Sequence, residues 1–335
     1  MAIRATAPTR MDLAGGTLDI YPLYVFTDGG VTINAGIDLA SQVTVEPRAD
    51  AVISLRSEDT GATLEAPDLA ALPADRELGF VARIVRFYPP RSGINVITRN
   101  TVPQGSGLGA SSSLLIALTA ALDRLNRTNL APEHYINWGA NIEAQAIGVP
   151  TGKQDYFAAV YGGISAIRFR LDGEEREPVV EDEDFLRRLE TSVILTFTGE
   201  TRFSGTSNWN MLKAYIENLG HNRASMAAIK RTALAMNEAL ADRDLTRFAE
   251  LVDEEWQNRK QLAEGVTTPR IEALMAAAAE AGAWAGKICG AGGGGCMITV
   301  AAPDKRPQVI AALEAGGATH LEYRISRQGL IVEEC

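Results

Sequence analysis

The chain has 335 residues, 46% of them hydrophobic and 22% charged, with a formal net charge of −10. That length and apolar content can bury a sizeable core in two domains or one large one, which excludes a disordered chain. The acidic balance tells against a sequence-independent grip on nucleic acid or anionic lipid, both of which need clustered Lys and Arg, and points to a small-molecule partner. Three cysteines (Cys289, Cys296, Cys335) form no CxxC pair and three histidines lie far apart, so neither a disulfide framework nor a zinc or redox centre is expected. No run approaches the ~20 apolar residues of a membrane span, and the opening MAIRATAPTR lacks the apolar core of a signal peptide, so the expectation is a soluble, cytoplasmic protein.

In chain order, the first ~100 residues alternate strand-like runs with turns: IRATAP, VTINAGIDL from Val31, QVTVEP from Gln42, AVISLRS from Ala51 and INVITR from Ile94. The cluster TDGG at residues 27–30 supplies positive-φ positions that reverse the chain before Val31. Leu114, Leu115, Leu118, Leu122 and Leu125 recur at helical spacing and predict a helix with a buried stripe. A second helix is predicted from Ala131 to Ile147, closed by Gly148 and Pro150. Residues 206–281 read as almost wholly helical, and the remainder returns to strand and helix through KICGAG, GCMITVAAP, a helix near residues 307–314, THLEYRIS and GLIVEE. The fold class expected is α+β in two domains, 1–180 and 181–335, with DGEEREPVVEDEDF as a solvated connector between them. No internal repeat or low-complexity tract is present.

The segment PQGSGLGASSS (residues 103–113) sets three glycines and four serines directly ahead of an amphipathic helix. Glycines let backbone N–H groups approach phosphate oxygens, and a helix N-terminus adds uncompensated donors and a positive dipole end. It is not a Walker A loop, which carries a Lys after its last glycine. A flexible turn with serine caps is the competing reading. The second loop, GAGGGG at residues 290–295, matches GxGxxG, but the residues after it continue as a strand rather than a helix, which rejects a dinucleotide-binding fingerprint. A strand-to-strand loop with four consecutive glycines implies close packing against it.

Among acids, Glu143 near the end of its predicted helix is either a solvated helix-face residue or a Mg²⁺ ligand, which with a loop serine and phosphate oxygens would suit that ion. Asp155 in GVPTGKQDYF sits in the first turn of the next predicted helix, where the dipole stabilises an anion. Arg10 and Asp19 bracket an apolar, glycine-rich stretch and, taken alone, read as ordinary surface charges.

Taken together, APTRMDLAGGTLD, PQGSGLGASS, GVPTGKQD and KICGAGGGGC resemble, in order and spacing over nearly the whole chain, the signature motifs of the GHMP kinases. The resemblance implies an N-terminal domain with a left-handed βαβ unit, a ferredoxin-like C-terminal domain and a nucleotide held between them. Within that superfamily the chain is most similar to heptose 7-phosphate kinases and fucokinase-type sugar kinases, through AGGTLD, TGETRF (residues 198–203) and the helix EEWQNRKQL (residues 254–262). AGGTLDIYPLY departs from the heptose kinase pattern of three glycines before Thr-Asp, and Ala110 replaces the first of two loop serines.

By matching position, the resemblance implies Asp155 and Arg10 as catalytic residues, with Asp155 orienting and deprotonating the attacking hydroxyl. It implies Pro103, Gly105, Ser106, Gly107, Leu108, Gly109, Ala110, Ser111 and Ser112 as the ATP cradle, and Ser111 with Glu143 as Mg²⁺ ligands. Substrate contacts would come from Gly16, Thr17, Asp19, Gly152, Lys153, Arg202, Gly292 and Gly293, with Lys153 and Arg202 reserved for a substrate phosphate. The expected reaction transfers the γ-phosphoryl of ATP to a sugar or sugar-phosphate hydroxyl, foremost the anomeric hydroxyl of a heptose 7-phosphate-like acceptor. Galactose- or fucose-type 1-kinases, a mevalonate-type alcohol kinase and a non-catalytic ATP-binding protein are the alternatives; a homodimer is compatible with any of them.

Overall fold

In the computed structural model, residues 1–201 and 204–335 are described. The elements run β1 (Ile3–Ala14), α1 (Leu23–Phe26), β2 (Gly30–Pro47), β3 (Ile53–Ser57), β4 (Thr63–Ala66), α2 (Gly79–Phe87), β5 (Ile94–Asn100), α3 (Ala110–Asn126), α4 (Pro132–Ile147) and α5 (Gln154–Tyr161). They continue through β6 (Ile164–Arg170), β7 (Gly173–Val180), α6 (Glu183–Ser192), β8 (Val193–Phe197), α7 (Ser204–Ile216), α8 (Asn222–Ala241), α9 (Leu245–Arg259) and α10 (Pro269–Glu280). The last elements are β9 (Ala283–Ile288), β10 (Cys296–Ala301), α11 (Arg306–Ala315), β11 (Thr319–His320) and β12 (Ile331–Glu334).

Two sheets organise the chain. The first holds β1 to β7 and β12, with the path β12-β1-β2-β5-β3-β4 and with β6 and β7 branching from β2. The runs VTINAGIDL and QVTVEP, read as separate strands, form one 18-residue strand, β2. Its first half pairs with β6 and its second half with β5, so no turn is needed between them. Within this sheet β3 and β5 are parallel, joined through β4 and α2, and this is where the expected βαβ unit lies. The second sheet has the order β11-β8-β10-β9 with antiparallel neighbours. In chain order that is 4-1-3-2 with helices after its first and third strands, the ferredoxin-like arrangement expected of the C-terminal half.

Two boundaries differ from expectation. DGEEREPVVEDEDF is not a loose connector: its first part is β7, paired along its length with β6, and its end opens α6 with Asp182 accepting the Phe185 backbone N–H at 2.8 Å. Its charge reflects an edge strand wetted by solvent rather than an unstructured linker. The last strand, β12, leaves the 181–335 unit and pairs antiparallel with β1 of the first sheet. Among the described residues no helix is long and apolar enough to cross a membrane.

The core explains why the site sits where it does. Leu114, Leu115, Leu118 and Leu122 of α3 are buried against β1 and β2, which fixes the first turn of α3, and the loop before it, at the junction of the two sheets. Leu108 belongs instead to the cluster shared with Cys289, Cys296 and Ile298 of the second sheet.

Candidate active site

The loop ahead of α3 is clamped between the two halves. The Cys296 N–H donates to the Ser106 carbonyl at 2.6 Å, and the Arg10 N–H donates to the Leu108 carbonyl at 2.9 Å. Gly109 takes φ +76° as the N-cap of α3, and a Cβ there would lie 2.9 Å from Asp155 Oδ2, so only glycine lets the loop pass this close to that carboxylate. The loop residues from Pro103 to Ser112 thus run from the second sheet to the acid at the start of α5. The GAGGGG loop joins β9 to β10 as the sequence predicts, and its close packing is visible: the Gly293 N–H donates to the Val266 carbonyl at 2.6 Å, and Gly292 abuts the same residue.

Asp155 and Arg10, 145 residues apart, are joined. Arg10 Nε and Nη2 meet Asp155 Oδ1 at 2.7 and 2.6 Å, while Nη1 donates to the Gly107 carbonyl at 2.6 Å. One guanidinium therefore ties β1, the glycine loop and the acid together. Burial pushes the Asp155 carboxyl above its ordinary value by more than Arg10 pulls it down. Its side chain is still 20% exposed, so it can be reached from solvent.

Glu143 is not a solvated helix-face residue. It is buried, and its carboxylate accepts hydrogen bonds from Ser111, from Ser112 at 2.9 Å and from Tyr156. Burial raises its pKa, with the hydroxyls opposing. Among the described residues no Lys or Arg pairs with it, and no group of three or more His, Cys, Asp or Glu gathers as a metal site. A buried carboxylate ringed by hydroxyl oxygens and lacking a cation is an all-oxygen donor set that suits Mg²⁺, which keeps waters and phosphate oxygens for its remaining positions.

Asp19 is buried rather than a surface charge. Its Oδ2 accepts the Gln154 N–H at 3.0 Å, one residue before Asp155, and Gly152 passes so close that a Cβ there would lie 2.1 Å from that oxygen. Burial lifts Asp19 from 3.8 to about 6, and the neighbouring Asp155 adds to the rise. Gly16 and Thr17 lie in the same segment as Asp19. Lys153 is engaged elsewhere, with Glu174 in an ion pair and with Asn137 at 2.7 Å. Arg202 lies outside the described residues.

Sequence reasoning missed five groups around this site. Tyr156, next to Asp155 in the chain, turns to Glu143 instead. Asp12, Glu255 and Arg259, together with Lys287, form a fully buried cluster under Thr17 and the second glycine loop. A lysine inside the apolar strand AWAGKI is a signal from which it could have been found.

Two family models match this chain: the GHMP kinases N terminal domain over residues 76–163 and the GHMP kinases C terminal domain over residues 236–319. The chain is 29% identical to a D-glycero-alpha-D-manno-heptose 7-phosphate kinase of Campylobacter jejuni, covering 98% of each chain. It is 26% identical to a mevalonate kinase of Thermococcus sibiricus over 100% of this chain and 99% of that one. A solved structure of a D-glycero-D-manno-heptose 1-phosphate kinase from Bacteroides thetaiotaomicron superposes with a TM-score of 0.77 at 26% identity, covering 99% of both chains. With both halves of the fold, the order of the motifs and the family models in agreement, the chain belongs to the GHMP kinases and is an ATP-dependent small-molecule kinase.

Proposed function

We propose that this kinase transfers the γ-phosphoryl of ATP to the anomeric hydroxyl of a heptose 7-phosphate or a closely similar sugar phosphate, with residues 1–180 holding nucleotide and Mg²⁺ and 181–335 closing over them. The observation that carries the reading is the Asp155 carboxylate, gripped by Arg10, close against the glycine loop at Gly109 and still partly exposed. The likeness to a heptose 7-phosphate kinase over the full length supports the acceptor.

In the reaction the acceptor oxygen forms a bond to the γ-phosphorus as the bond from that phosphorus to the β–γ bridging oxygen breaks, and ADP leaves. The acceptor's proton passes to Asp155. A carboxylate lifted by burial is a better proton acceptor than one in water, and Arg10 keeps its charged form populated and aimed. Arg10 is also the cation nearest that acid and the loop, placed to offset charge on the transferring group. Loop amides from Gly105 to Ser112 hold the phosphates, while Ser111 and Glu143 hold Mg²⁺, which when bound neutralises phosphate charge. Asp19, with Gly16 and Thr17 before it and Gly152 against it, is assigned to the acceptor's hydroxyls.

A coupled ADP-release assay against heptose 7-phosphate, galactose, fucose and mevalonate tests this. Turnover highest on the heptose phosphate supports the reading, and preference for an unphosphorylated hexose or mevalonate overturns it. The mevalonate alternative is kept in the panel because a mevalonate kinase aligns along the whole chain.

A further inference from the structure

Thr17 adopts φ +79°, in the left-handed region that a β-branched residue rarely occupies. Such a conformation persists only where its surroundings over-determine it. Here the restraint comes from the other half of the molecule. Arg259, at the end of α9 and fully buried, donates through Nη2 to the Gly16 carbonyl at 2.9 Å and through Nη1 to the Thr17 hydroxyl at 3.4 Å. The same Nη1 reaches the Gly290 carbonyl, at the start of the second glycine loop, at 3.4 Å.

The guanidinium is itself held. Glu255, one turn back on α9, accepts from Nε at 2.8 Å and from Nη2 at 2.5 Å. Lys287 of β9 lies 3.4 Å from the other Glu255 oxygen and 3.3 Å from Asp12 of β1, and donates to the Asp12 carbonyl at 2.8 Å. The four charged side chains are completely removed from solvent, two acids against two cations. None of them touches the cleft, so none is a reacting group.

We propose that Arg259, oriented by Glu255, Lys287 and Asp12, is a positioning residue that locks the strained corner at Gly16 and Thr17 and registers it against the GAGGGG loop, so that acceptor binding depends on contact between the two halves. The inference rests on assigning residues 16–19 to the acceptor, and it predicts a split in kinetic constants. A lysine at 259 keeps the charge but cannot reach three carbonyl or hydroxyl oxygens and Glu255 together.

The experiment compares wild type with Arg259→Lys, by kinetics on the best acceptor of the panel above and by amide hydrogen exchange. Expected are an acceptor KM raised ~10- to 100-fold, an ATP KM within ~2-fold of wild type, and exchange at residues 15–19 and 289–295 faster by ~10-fold with the α3 amides unchanged. Acceptor and ATP constants moving together, neither moving, or exchange rising uniformly through the chain would overturn the proposal. Should Arg259→Lys not fold, the charge-balanced pair Glu255→Gln with Lys287→Gln frees the guanidinium from its orienting acid and faces the same criteria. Should wild type phosphorylate no member of the panel, the acceptor assignment fails, and the exchange measurement alone decides whether Arg259 holds this corner.

Discussion

Two buried clusters of charge lie within a few residues of one another on β1, and they are assembled differently. At the cleft, Asp19, Glu143 and Asp155 bring three acids together, and the ion pairs among the described residues supply them with one cation, Arg10. Burial pushes all three carboxyls upward. Two residues further along the strand, burial also pushes Asp12 up, yet Lys287, Arg259 and Arg10 together outweigh it and hold that carboxyl below its ordinary value. The second cluster sets two acids against two buried cations. The first is short of positive charge, as the Mg²⁺ site proposed above requires.

The sharpest way to break this contrast is to remove Asp155, the acid proposed to accept the acceptor's proton. Asp155→Asn should cut turnover by roughly 10²–10⁴-fold in the coupled ADP-release assay while calorimetry finds ATP affinity nearly unchanged. Turnover close to wild type would remove Asp155 from the mechanism.

Next in size is an attack on the balanced cluster. Glu255→Gln strands an extra buried cation and should lower unfolding free energy by about 3–5 kcal/mol, read from denaturant titration. Glu255→Gln with Lys287→Gln restores the balance and should recover part of that loss; equal losses would mean that charge balance is not what holds the cluster.

The deficit at the cleft also has a pH signature. Asp19 binds its proton more tightly folded, at about 6, than at its ordinary 3.8, so between those values the folded protein carries more protons than the unfolded chain. Its contribution favours the fold at low pH and is lost as pH rises through that window, by at most about 3 kcal/mol. Stability of Asp19→Asn relative to wild type should therefore rise from pH 4 to pH 6. A flat difference would show that Asp19 titrates normally.

The smallest effect should come from Ser111→Ala, which leaves Glu143 with two of its three hydroxyl partners and should raise the Mg²⁺ concentration for half-maximal turnover by about 10-fold. An unchanged metal titration would separate Ser111 from the metal.

Much of this arrangement is legible in the chain because its motifs are local. Residues 103–113 announce a loop and helix start, Gly148 ends α4 as expected, and the strand after GAGGGG is read from composition. What the chain conceals is pairing across distance. Arg10 and Asp19 look like surface charges until β1 and α5 are docked, and Glu255 with Arg259 has the spacing of any solvated helix pair. The strand β7 was hidden by its own acidity, since an edge strand carries little of the apolar alternation that marks a buried one.

The course of the last residues carries one more consequence. After the second sheet, the Ser326 N–H donates to Gly36 and the Leu330 N–H donates to Val160, and residues 2 and 335 exchange backbone hydrogen bonds at 3.1 and 2.9 Å. The ferredoxin-like half is therefore sewn to its neighbour by two separate crossings, one entering at α6 and one returning to β12. A body stitched at two points can rock about the line through them but cannot swivel freely. Any relative movement of the two halves therefore has to be accommodated at both crossings at once.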